Sequence, residues 1–398
     1  MSPKPESPNS GARRLAHVVG ARPQFVKLAP VARAISAANG RGARIDSLII
    51  HTGQHYDPSM SDVFFDELGI PRAGVHLGVG SGPHGEQTGR MLEKLELALV
   101  EHRPDAVLAY GDTNSTLAAA IAAAKLHIPV LHVEAGLRSF NRRMPEEINR
   151  VVADHLSDLL FAPTSEAMRN LATEGLSARA VLSGDVMLDA IRFNEALARS
   201  RSRVLQRLAL RPGEYLVATV HRAESTDGDA LANLIDAFER IARPDRPIVF
   251  PVHPRTAKRL REGRGRPLES GAVLAIEPLG YLDMIRLLGS ARMVLTDSGG
   301  VQKEAFFLGR PCVTLREETE WVETVNEGGN LVAGTGVGGI LEAVSWWDRK
   351  LAGGDLDLSA AIGRSFGNGD AAERILDRTL SFLASPEARI VRRPAAGP

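Results

Sequence analysis

Short β-rich apolar runs alternate with longer amphipathic segments along almost the whole of this 398-residue chain, and that rhythm leaves few folds open. LAHVVGA (15–21), IDSLIIHTG (45–53), AVLAYGD (106–112), PVLHVEAG (129–136) and LLFAPT (159–164) read as buried strands that end on glycine or a polar residue. Between them, MLEKLELALVEH (91–102) sets Leu92, Leu95 and Leu99 on one helical face. In PEEINRVVADHL, Pro145 suits a first helical position. Ile148, Val151, Val152, His155 and Leu156 follow at helical spacing, which predicts an apolar stripe facing a core.

The rhythm breaks after Gly184 for a long helical stretch, VMLDAIRFNEALARSRSRVLQRL. It resumes with YLVATVHR (215–222), PIVFPVHP (247–254), VLAIEPL (273–279), MVLTDSGG (293–300) and PCVTLRE (311–317). The chain therefore reads as α/β, with two Rossmann-like doubly wound domains over 14–184 and 185–370 and an interdomain cleft at their strand ends. A last helix over 371–386 is expected to pack back on the first domain. Residues 1–13 and 388–398 read as disordered tails, the first without the apolar stretch of a signal peptide. The most apolar region, Leu117 to Val133, is interrupted by Lys125, His127 and Pro129 and is too broken to cross a bilayer. A cytoplasmic protein is expected.

Charge and cysteine content remove other classes. Lys and Arg number 48 against 48 Asp and Glu, so neither nucleic acid nor a membrane surface is an expected partner. Cys312 is the one cysteine, which excludes a disulfide framework and any site needing several thiolates. Beside Pro311 in an apolar run, it reads as packing. His132-Val133-Glu134 matches half of a zinc-deaminase signature, but no C-x-x-C completes it. Neither a G-x-S-x-G elbow nor a Walker A loop occurs. The G-x-G-x-x-G at Gly80–Gly85 is interrupted by Pro83 and lies after the first βα unit, so it reads as a flexible loop rather than a dinucleotide fingerprint. That argues against a nicotinamide cofactor and leaves it open, and the missing thiolates argue against a zinc site, so no metal is expected.

What remains is chemistry at strand ends. In MVLTDSGGVQKEAFFLG a strand runs into Ser298-Gly299-Gly300 and then a helix, where small residues and the helix dipole suit a phosphate. Glu304, about one turn on, is placed to accept from ribose hydroxyls; an ordinary tight turn with a solvated Glu304 is the plainer alternative. Arg22 and Lys27 flank the helix start marked by Pro23 and suit a diphosphate, or are two surface cations. Asp112 ends one strand, Glu134 ends the next, and Glu146 sits in a helical first turn. Strand alternation puts His132 and Glu134 on one face. Each acid has a bland alternative as cap or solubiliser, but all three converge on one sheet edge. His221 and His253 end two strands of the second domain and face the crevice, where an imidazole moves protons near neutral pH.

Taken together, GARPQFVKLAP, HTGQHYD, YGDTNSTLA, HVEAGLRSFNRRMPEEINR, GDVMLDA, VHRAES, PVHP and TDSGGVQKEA make the chain resemble the non-hydrolysing UDP-N-acetylglucosamine 2-epimerases over about residues 15 to 385. The resemblance implies two Rossmann-like domains of glycosyltransferase-B type, a UDP-sugar substrate held mainly by the second, and a homodimer. It implies Asp112, Glu134, Glu146 and His221 as the catalytic set. Arg22, Lys27, Ser298, Gly299, Gly300 and Glu304 would bind nucleotide, with uracil near PLGYLDM, at Leu279 and Met284. It also implies inversion at C2 without a redox cofactor, through loss of UDP to a glycal and re-addition. A hydrolysing 2-epimerase and a glycosyltransferase on the same architecture are the alternatives. One departure bears on substrate. Many plain members carry Arg after Thr-Glu, whereas this chain has Thr319-Glu320-Trp321-Val322-Glu323, similar to relatives that act on modified sugars such as diacetamido uronic acids.

Overall fold

A computed structural model describes residues 12–54, 65, 67–227, 229–263, 271–354, 356–386 and 388. Arg13–Val19 (β1), Ile45–His51 (β2), Val75–His76 (β3), Ala106–Tyr110 (β4), Val130–Val133 (β5), Leu159–Ala162 (β6) and Ala180–Leu182 (β7) form one sheet in the order β3-β2-β1-β4-β5-β6-β7. Leu216–Thr219 (β8), Ile248–Pro251 (β9), Val273–Ile276 (β10), Met293–Thr296 (β11), Cys312–Thr314 (β12) and Asn330–Val332 (β13) form a second, ordered β10-β9-β8-β11-β12-β13. Every strand pairing in the two sheets is parallel. Residues such as Val18, Val107, Ala109 and Val130 in the first sheet, and Leu216, Phe250 and Leu295 in the second, are fully buried, as strands covered on both faces require.

Strand order reverses between β1 and β4 in the first sheet and between β8 and β11 in the second. Ligands of doubly wound sheets bind beyond the strand ends at such switch points. Both switch points here carry the residues singled out in the sequence.

The helices that frame them are Arg22–Gly40 (α1), His84–His102 (α2), Asn114–Lys125 (α3), Pro145–Leu156 (α4), Val186–Arg201 (α5), Tyr281–Ser290 (α6), Gly299–Phe307 (α7) and Ala371–Ala384 (α8). The chain divides into two compact units. The first takes the described residues up to Ala190 and from Gly367 onward; the second is Ile191–Phe366. The division falls inside α5 rather than at Gly184. The last helix joins the first unit, where Asp189 accepts from Ala372 N–H at 2.8 Å and Ala371 N–H at 3.3 Å.

Three local expectations need correction. The Gly80–Gly85 segment is not all loop: α2 begins at His84, and Gln87 donates to Gly80 O at 2.8 Å. The tails are shorter than expected. Arg13 already pairs with Ile45, and Ala388 is buried, while residues 1–11 and 389–398 lie outside the described residues.

The third correction concerns α4, which turns the other way. It buries Glu147, Asn149, Arg150, Ala153 and Asp154 and leaves Ile148 47% exposed. Apolar periodicity points inward only where the interior is apolar; here the interior is a charged site that satisfies the polar face.

Candidate active site

In the first unit, Val18 pairs with Ala109, so Gly20 and Gly111 stand level beyond the ends of β1 and β4. A Cβ on Gly20 would lie 2.0 Å from Thr52 Oγ1 and 2.4 Å from Ser115 Oγ, so only glycine lets these segments meet. Gln24 accepts from Gly20 N–H at 2.8 Å and Ala21 N–H at 3.1 Å. Its amide donates to Tyr110 O at 3.0 Å and Thr116 Oγ1 at 3.1 Å. This side chain locks the entrance of α1, and with it Arg22, to the end of β4.

Lys27 lies one turn inside α1, yet it meets a carboxylate: Nζ is 2.8 Å from Glu134 Oε2, both side chains being buried. A Cβ on Gly111 would come within 2.7 Å of the same ammonium, so Lys27 also rests against the turn before Asp112. Asp112 Oδ2 accepts from Arg150 Nη2 at 2.5 Å, and its carbonyl accepts from Asn149 Nδ2 at 2.9 Å. Arg150 reaches Glu147 at 3.0 Å as well. Glu147 accepts from Ser139 N–H and Oγ–H at 2.9 Å and Phe140 N–H at 3.0 Å, fixing the loop that leads into α4. The side chain of Glu146, half-buried in the first turn, makes no hydrogen bond or ion pair among the described residues.

His132 and Glu134 do not share a face. β5 ends at Val133, and Glu134 takes φ 72°, a left-handed conformation that stops the alternation. A strained non-glycine backbone at a strand end is where function is found. Glu134 turns to Lys27, and His132 stays buried against Asp154.

In the second unit, Thr219 pairs with Thr296 across the switch point, so His221 and Ser298 stand level. Buried Asp297 accepts from His221 N–H and Arg222 N–H at 2.8 Å each, with His221 Nδ1 at 3.2 Å. Burial alone pushes the Asp297 carboxyl up; the His221 ring and the two amides outweigh it and hold it below the usual carboxylate range. The His221 side chain is 38% exposed, so Asp297 orients an imidazole that remains accessible. The His253 ring lies tilted beside it, 5.5 Å between ring centres, and caps its own helix by accepting from Arg255 N–H at 3.2 Å.

Ser298 caps α7 by accepting from Val301 N–H at 3.4 Å. Its two glycines differ. A Cβ on Gly300 would meet nothing nearer than Ser298 Oγ at 3.9 Å, whereas on Gly299 it would meet Glu320 Oε1 at 2.3 Å. Glu320 is itself held by Arg316 at 2.9 Å, and Arg222 lies 3.7 Å away. Glu304 is buried one turn into the helix. Leu279 is half-buried in the loop after β10, but Met284, on α6, is only 8% exposed and has little surface to offer a base. Trp321 covers Lys303, whose ammonium lies 3.7 Å from the ring centre. Cys312 is buried, and burial pushes its thiol up, as expected of a packing residue.

Gln24, Arg150, Asp154 and Asp297 join the candidate site although sequence pattern did not single them out. Only Asp297, next to Ser298-Gly299-Gly300, carried a visible signal.

The sequence model of the UDP-N-acetylglucosamine 2-epimerase family matches residues 37–379. A UDP-N-acetylglucosamine 2-epimerase homologue of Methanococcus maripaludis is 46% identical over 92% of this chain and 98% of its own. A UDP-2,3-diacetamido-2,3-dideoxy-D-glucuronate 2-epimerase of Pseudomonas aeruginosa is also 46% identical, over 90% and 97%. The crystal structure of the Methanocaldococcus jannaschii UDP-GlcNAc 2-epimerase with UDP-GlcNAc and UDP superposes with a TM-score of 0.83 at 41% identity, covering 93% of this chain and 99% of that one. With two parallel doubly wound sheets and a match along most of its length, the chain belongs to the UDP-N-acetylglucosamine 2-epimerase family.

Proposed function

We propose that the chain inverts C2 of a UDP-2-acetamido sugar without hydrolysing it. The observation that carries this reading is the acid group at the first switch point: Glu134 on Lys27, Asp112 on Arg150, and Glu146 in a helical first turn. A C2–H is too weak an acid for a carboxylate unless the C1–O bond to UDP breaks early. In the reaction proposed, that bond breaks, UDP departs with its electron pair, and a carboxylate takes the C2 proton, leaving a C1=C2 glycal. A second group then returns a proton to the opposite face of C2 while UDP adds back to C1, so atoms and charge balance.

The second unit supplies what the departing UDP needs. Ser298, Gly299 and Gly300 open α7 toward an anion, Glu304 suits ribose hydroxyls, and His221 is an accessible imidazole held by Asp297. Arg22 at the mouth of α1 is the cation we assign to the diphosphate. Lys27, engaged by Glu134, serves the acid group.

The substrate is UDP-N-acetylglucosamine or a diacetamido uronic acid analogue; relatives named for each are equally similar at 46% identity, and Trp321 in place of Arg is what favours the analogue. We further propose a homodimer, supported by exposed Leu97, Val100 and Ile148 on α2 and α4, the two helices that flank α3. Light scattering after gel filtration tests it, and a monomer at micromolar concentration contradicts it. Among the described residues no helix is long and apolar enough to cross a membrane; a cytoplasmic enzyme fits that.

An NMR time course on a panel of UDP sugars tests the activity. A C2 epimer still attached to UDP supports it. Free sugar with UDP means hydrolysis, and transfer to an added acceptor means a glycosyltransferase.

A further inference from the structure

The His132 ring is fully buried, and both of its nitrogens face oxygens that only accept. Nδ1 lies 2.6 Å from Asp154 Oδ1, and Nε2 lies 2.6 Å from the carbonyl of Gly111. A neutral imidazole has one N–H, so one of these contacts would set lone pair against lone pair. Moving the proton onto Asp154 would meet the valence of both nitrogens, but the other Asp154 oxygen accepts from Arg138 Nη1 at 2.7 Å and Gly136 N–H at 3.0 Å. Those bonds favour the carboxylate. Burial pushes the Asp154 carboxyl up, and the His132 ring and Arg138 outweigh it and hold it below its usual range.

We infer that His132 is a buried imidazolium and a positioning residue that fastens the Gly111–Asp112 turn to α4. This rests on the proposed role of Asp112 and assigns His132 no contact with substrate. Three side chains from β5 and α4 hold the turn. His132 takes the Gly111 carbonyl, Asn149 takes the Asp112 carbonyl, and Arg150 takes the Asp112 carboxylate. Gly111 takes φ 64°, a conformation open to glycine, and donates its N–H to Val133 O at 3.0 Å. The charged groups around the ring are Asp154, which Arg138 shares with Glu174, and the Lys27 ammonium on the far side of Gly111. The imidazolium inferred here lies beneath a turn that presents an acid.

The test is NMR of the full chain labelled with 15N at histidine, with the His132 signals assigned by their loss in His132→Asn. Two protonated ring nitrogens are expected, since each faces an acceptor oxygen at 2.6 Å. One protonated and one bare nitrogen would overturn the inference whether or not any variant folds. Asp154→Asn removes the compensating carboxylate and is expected to leave a single ring N–H. In kinetics, His132→Asn is expected to lower kcat about 100-fold with KM little changed, the signature of a displaced acid rather than lost binding. Unchanged kcat would remove the positioning role. If Asp112→Asn keeps full activity while His132 shows both N–H signals, the acid assignment fails and the buried imidazolium stands.

Discussion

Lys27 Nζ lies 2.8 Å from Glu134 Oε2, and neither side chain is more than 8% exposed. A pair this buried stands only while both members are present, because the survivor becomes an uncompensated interior charge. The pair also carries the left-handed Glu134 at the end of β5, so the strain of that backbone and the charge of the site are settled together.

Lys27→Met is expected to lose about 3–5 kcal/mol of stability in denaturant unfolding. Adding Glu134→Gln to it should restore most of that loss while the enzyme stays inactive. If the double variant is no more stable than the single one, the ion pair is not what Lys27 contributes.

At the nucleotide end the two glycines separate cleanly. Gly299→Ala drives a methyl into the Glu320 carboxylate and is expected to lower stability by about 1–3 kcal/mol. Gly300→Ala meets open space, so its melting temperature should match the parent while KM for the UDP sugar rises. Equal stability losses in the two variants would contradict the geometry at the start of α7.

His17 supplies a pH test of the first unit's interior. It is fully buried beside the Tyr110 hydroxyl, at 2.7 Å, and burial lowers its pKa from 6.5 to about 4. The unfolded chain therefore takes up the proton first, and stability falls as pH drops through 6.5, levelling off below 4. The loss from this group is at most about 3 kcal/mol. His17→Asn should flatten the stability profile over that window, and an unchanged slope would show that other groups set it.

Trp321→Arg would put a guanidinium where the Trp ring now covers the Lys303 ammonium. Losing that contact is expected to cost about 1–2 kcal/mol, before like-charge repulsion is added, and a lower melting temperature checks it. A stable, fully active Trp321→Arg would show that the ring contact contributes little.

Much of this was legible in the chain and some was not, for physical reasons. Alternation of period 2 and period 3.6 segments exposed the two sheets, because strands buried on both faces are apolar throughout. Ser298-Gly299-Gly300 was legible because a helix start with small residues has a local signature. The stripe on α4 misled: Ile148 and its neighbours repeat at the right spacing, but Glu147, Arg150 and Asp154 point in. Burial of charge depends on partners far along the chain, such as Asp112 for Arg150 and His132 for Asp154. For the same reason the local pattern at Lys27 points to a phosphate cation, since nothing near it in sequence announces Glu134. Short edge strands such as β3, two residues long, and β7 carry too few residues for a pattern to form.

In the proposed reaction C2 loses its proton to the protein and recovers one from solvent on the opposite face. Running the reaction in deuterated water and following both UDP sugars by NMR tests it most directly. Deuterium at C2 of the product, and of substrate recovered near equilibrium, is the result this account requires, with both signals lost in Glu134→Gln. A C2 epimer that forms without deuterium would contradict it.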